Sequence, residues 1–128
     1  MVIDLVATLF YEAEEKLQVS KDAFDEGKWG DSIYQSYAAL ISGAKALLLD
    51  KQVHVNTHHT LIIDFDKHFV ETKEIELPGS FKELTSKISK NHPARDFAVS
   101  YYIEAEDFLK KVKTIRANKN VEEIIGAN

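Results

Sequence analysis

Apolar residues recur at three- and four-residue steps through almost the whole chain, and no convincing strand pattern interrupts them. The first stripe, Val2, Val6, Leu9, Ala13, Leu17, Ser20 and Phe24, predicts a helix from about Val2 to Asp25. Gly27 punctuates it. The turn GKWG then leads into a second helix, expected to be capped by Asp31 and to end near Lys51, with Ile33, Tyr37, Leu40, Ile41, Ala44, Leu47 and Leu48 inward. So short a connection makes the two helices antiparallel neighbours.

A third helix, capped by Asn56 or Thr57, carries Leu61, Ile62, Phe65 and Phe69 inward and stops around Val70. ETKEIELPG lacks helical spacing and reads as an irregular link. Ser80 with Glu83 has the spacing of a capping box for a short helix through about Ser89, with Phe81, Leu84 and Ile88 on its apolar side. After KNHPAR a long final helix buries Ala94, Phe97, Tyr101, Ala105, Phe108, Val112 and Ile115, with Pro93 tolerated in its first turn. These segments predict an all-α fold: an antiparallel up-and-down four-helix bundle with one additional short helix. One domain over residues 1–128 is expected, with 117–128 a partly ordered tail.

The absence of cysteine excludes disulfides, thiolate-held metal clusters and thiol nucleophiles. No apolar run approaches membrane-spanning length, and the opening MVIDLVATLFYEAEEK lacks the basic start of a secretory signal. A cytoplasmic protein with no membrane contact is expected. Net charge is −5, but unevenly spread: residues 1–79 hold 14 acids and 7 bases, residues 80–128 hold 7 and 9. The densest basic run is KKVKTIRANK, with Lys110, Lys111, Lys113, Arg116 and Lys119. Bases are favoured near a helix C-terminus, which accounts for the run without a ligand. A weak nucleic-acid surface is the sharper alternative.

The chemical inventory is small. Asp64 and His68, four residues apart, offer two metal ligands on one helical face, and two ligands do not make a site. No cofactor is called for. His58 and His59 fall in the first turn of the third helix, where an anion would be favoured, although capping by Asn56 and Thr57 needs none. On the second helix Tyr34, Ile41, Lys45 and Leu48 form one line. Lys45 therefore sits at the edge of the buried stripe, its stem covering apolar surface and its amine reaching water, a neighbouring acid, or a phosphate beside Tyr34. Ser36, Ala39 and Gly43 make a small-residue row suited to close approach by the first helix or a second subunit. Trp29 is expected either under the first helix corner or on a partner.

The order of these features resembles a known family. DEGKWGDSIYQSYAALISGAKALLLDKQVHVNTHHTLIIDFDKHFV is similar to the second and third helices of HEPN domains, and SYYIEAEDFLKKVK to their closing helix. The resemblance covers roughly residues 5–115. It implies a four-helix bundle with extra short helices and homodimerisation. In many members it implies metal-independent RNA cleavage by an Arg followed four to six residues later by a His. That pair would supply a permanent cation at the phosphate and a ring that moves protons near neutrality. Here Arg95 and Arg116 are the only arginines, and His54, His58, His59, His68 and His92 all precede them. Where a His should follow Arg95 stand Ser100, Tyr101 and Tyr102.

The resemblance thus points to members lacking the motif, which act as accessory modules beside small nucleotidyltransferases or larger proteins. The expected function is a non-catalytic module, not an enzyme, that homodimerises and binds a partner protein or a nucleotide-like ligand. Tyr34, Lys45, His58, His59 and Arg95 are the candidate ligand-binding residues. Two other readings stay open: a degenerate metal-independent RNase or nucleotide-processing domain built on His92, Arg95 and a tyrosine, and an accessory domain of a larger reductase or transferase.

Overall fold

The computed structural model describes residues 4–126, with side chains through Lys119. Five α-helices form, α1 (Leu5–Asp25), α2 (Trp29–Asp50), α3 (His58–Phe65), α4 (Phe81–Lys90) and α5 (Arg95–Gly126). No strand occurs among the described residues. Asp4 caps α1 by accepting from the Ala7 amide; Val2, expected in this helix, lies outside the described residues. The tail expected from Ala117 is helical in backbone to Gly126, and its last two residues lie outside the described part.

α1 ends on Gly27 at φ +76°, with the Lys28 amide bonded to the Ala23 carbonyl. This left-handed cap is cheapest at glycine, which has no Cβ to clash. The chain re-enters helix at Trp29, two residues before the Asp31 expected as cap. Asp31 lies in the first turn instead, a favourable place for an acid against the helix dipole. Trp29 turns inward beneath the corner, half-buried against Phe24 with ring centroids 5.1 Å apart.

End contacts give the directions. Phe24 of α1 lies by Arg95 at the start of α5, whereas Asp4 pairs with Arg116, 21 residues further along it. Gly30 of α2 faces Pro93, and Asp50 meets Arg116 and Lys119. α1 is therefore antiparallel to α2 and α5. α4 runs antiparallel to α5, because Phe81 at its start meets Phe108 whereas Leu84, a turn further on, meets Tyr101 nearer the start of α5. The up-down-up-down set is α1, α2, α4 and α5, and α3 is the additional short helix lying along α2 from Tyr37 toward Lys51.

α2 is the central element, burying twelve of its 22 residues. Its small-residue row serves both neighbours. Ser36 and Ser32 join Ser20 of α1 in a buried hydroxyl cluster, where Ser20 donates to the Ser32 carbonyl at 2.7 Å and lies 2.7 Å from the Ser36 hydroxyl. At Gly43 a Cβ would meet Leu109 of α5 at 3.3 Å. The row thus faces α1 at one end and α5 at the other.

Phe65, Phe69, Phe81 and Phe108, each at most 2% exposed, tie α3, α4 and α5 together through ring centroids 4.6–5.5 Å apart. Beyond Phe65 the backbone widens into a π-helical turn over Asp66–Val70. Asp66 there accepts from the amides of Phe81 (2.7 Å) and Lys82 (3.0 Å), satisfying first-turn donors of α4 beside the Ser80–Glu83 cap. Across ETKEIELPG, outside any helix, Ile75 still reaches the core at 4% exposure.

Candidate functional site

The candidate residues do not all meet. Lys45 and His58 line one groove of about 300 Å³ between α1, α2 and the start of α3, together with Lys16, Glu12, Ser42 and Thr57. Tyr34, His59 and Arg95 are not among its lining residues. Arg95 lies at the far end of the bundle, its guanidinium 5.4 Å from the Phe24 ring. Tyr34 is 57% exposed on α2, one turn before Tyr37.

α3 positions the imidazole. Thr57 caps it by accepting from the Thr60 amide at 3.1 Å, which leaves His58 as the first helical residue. Its Nδ1 lies 3.2 Å from the Tyr37 hydroxyl. Burial pushes the Tyr37 hydroxyl above its ordinary value, and Tyr34 adds to this, so the phenol stays protonated and can donate to the ring. Across the groove the Lys16 amine donates to the Ser42 hydroxyl at 3.0 Å. Ser42 and Lys45 lie three residues apart on α2, so both amines flank the same helical turn.

The sequence does not mark Lys16, Ser42 or Tyr37 as site residues. Lys16 stands four residues after Glu12, the spacing of an ordinary surface ion pair, and Ser42 reads as packing between Ile41 and Gly43. No linear signal marks their convergence. Asp64 and His68 straddle the start of the π-helical turn, which breaks the regular spacing that would align them. Among the described residues no three His, Asp or Glu side chains form a metal-ligating group.

At the positions after Arg95, the Tyr101 hydroxyl is fully buried and donates to the Leu84 carbonyl at 3.0 Å. Burial first, then Tyr37 and Glu104, raise it far above the ordinary phenol range. Tyr102 donates to Glu106 at 3.4 Å. The basic run is also engaged: Lys110 with Glu106, Lys111 with Asp107, Lys113 with Glu14, and Arg116 and Lys119 with Asp50.

The family model for the HEPN domain matches residues 6–125. The chain belongs to the HEPN domain family. This HEPN domain is 29% identical over 115 residues to "Putative toxin MJ0605" of Methanocaldococcus jannaschii, covering 84% of this chain and 86% of that protein. It is 31% identical over 102 residues to UPF0332 protein PH1297 of Pyrococcus horikoshii, covering 80% and 67%. No helix of this HEPN domain, among the described residues, is long and apolar enough to cross a membrane.

Proposed function

We propose that this HEPN domain is a non-catalytic helical module that forms a homodimer and binds a partner protein or a nucleotide-like ligand. One observation carries the reading: no histidine follows either arginine in the sequence, and the tyrosines in that place spend their hydroxyls on Leu84 and Glu106. The histidine-lined groove sits on another part of the bundle from Arg95. Relatives named as toxins make a toxin–antitoxin-like pairing, with a nucleotidyltransferase as partner, the first arrangement to seek. Light scattering coupled to size exclusion is expected to give twice the 14.5 kDa chain mass. A strict monomer at micromolar concentration removes the dimer half.

A second reading has its own observation. His92 and Arg95 are both exposed around the start of α5, three residues apart. A degenerate RNase using this pair would cleave RNA without metal and lose activity in both His92→Ala and Arg95→Ala. Absence of cleavage at high protein concentration eliminates it.

A further inference from the structure

Lysines that line the other grooves are neutralised within the fold. Lys51 and Lys119, in the groove floored by Leu47 and Phe69, pair with Glu74 and Asp50. Lys110 and Lys113, between α1 and α5, pair with Glu106 and Glu14. Lys87, beside Pro78, pairs with Glu104 at 2.8 Å. The α1–α2–α3 groove breaks this pattern. Among the described residues no carboxylate lies within ion-pair distance of Lys16 or Lys45, although Glu12 lines the same groove one turn before Lys16.

That turn would ordinarily allow an i,i+4 ion pair. Lys16 forgoes it and points across to Ser42, half-buried, with two ammonium hydrogens left to donate. Lys45 is exposed and makes no ion pair or hydrogen bond within the described chain. Two ammonium groups and one carboxylate thus give a net positive groove on a chain of net charge −5. Opposite them is the His58 ring, whose Nδ1 is engaged by Tyr37, leaving Nε2 for a ligand. With Glu12 counted the groove carries one net positive charge, so the number of donors and not charge balance discriminates between anions. Lys16, Lys45 and the His58 Nε2 present three donor groups, which the three acceptor oxygens of a phosphoryl group match and the two of a carboxylate do not.

We propose that the groove between Lys16, Lys45 and His58 binds a phosphoryl group, free or carried on a nucleoside. This deepens the ligand half of the function proposed above and is independent of the dimer half. The test follows backbone amide shifts by NMR at low salt and slightly alkaline pH, with inorganic phosphate, AMP and acetate as separate titrants. Saturable shifts around Lys16, Ser42, Lys45 and His58 are expected with phosphate and AMP, and not with acetate at equal ionic strength. A phosphate affinity equal to that for AMP assigns the free anion, and tighter AMP binding assigns the nucleoside-borne group. Lys16→Ala and Lys45→Ala should each weaken binding about tenfold, while Lys67→Ala, on the exposed part of the π-helical turn, should leave it unchanged.

Any one of three results overturns the proposal: no saturation with phosphate or AMP by about 10 mM, equal shifts with acetate, or wild-type affinity in the lysine variants. Light scattering on the same samples reads the dimer separately, so failure here and failure of the dimer remain distinguishable.

Discussion

Two charged regions border α2, and they are organised in opposite ways. At its C-terminal end Asp50, 14% exposed, receives both Arg116 and Lys119, and Arg116 also reaches Asp4. One residue on, Lys51 donates to the His68 carbonyl at 2.8 Å and to Glu74 at 2.5 Å, with its amine 4.1 Å from the Phe69 ring centroid. These charges hold α1, α5 and the link after α3 onto the bundle. About a turn earlier, where Lys45 of α2 and Lys16 of α1 line the α1–α2–α3 groove, the lysines hold nothing charged. Charge that closes on itself fixes a fold, and charge left open is available to something outside it.

The difference is measurable as stability. Asp50→Ala leaves two cations facing a partly buried vacancy and should cost about 1.5–3 kcal/mol in urea denaturation. A loss under about 0.5 kcal/mol would break the contrast. Lys51→Met removes an ion pair with a partly exposed carboxylate and an aromatic contact, so about 0.5–1 kcal/mol is expected after solvent screening.

Acid should act through the same clasp. Burial pushes Glu74 up, but hydrogen bonds from Lys51 and Thr72, with the charges of Lys51 and His68, outweigh it and hold the carboxyl below its ordinary 4.5. A carboxyl lowered in the folded state contributes stability above its unfolded value, lost as pH falls through the folded one. Urea midpoints stepped down from about pH 6 to about pH 3 should therefore decline more steeply for wild type than for Glu74→Gln. Equal slopes would show that Glu74 does not contribute. The smallest effect belongs to the groove: Lys16→Ala and Lys45→Ala should each stay within about 0.5 kcal/mol of wild type. A larger loss would mean that these lysines are structural.

Much of this was legible in the sequence, for reasons that differ by element. Phe65, Phe69, Phe81, Phe108 and Val112 fall on periodic stripes, and in a helix position in sequence sets position on a face. The Ser80 cap and the Gly27 turn depend on residues a few positions apart and were equally readable. Asp66 was not, because its carboxylate caps a helix fifteen residues away. The π-helical turn escaped as well, since it keeps the apolar spacing of a helix while shifting its register. Of the candidate site residues, Lys45 and His58 share a groove and Arg95 does not, a result set by how α3 lies along α2.

By itself, then, the sequence determined an all-helical chain, the inner face of each helix and the missing arginine–histidine order, because each is a property of near neighbours along the chain. Tertiary structure decided which lysines are neutralised and which are left open. Lys113 meets Glu14 across 99 positions and Lys119 meets Asp50 across 69, whereas Lys16 reaches Ser42 instead of Glu12. Pairing between charges depends on distance in space, and only the packed bundle sets that distance.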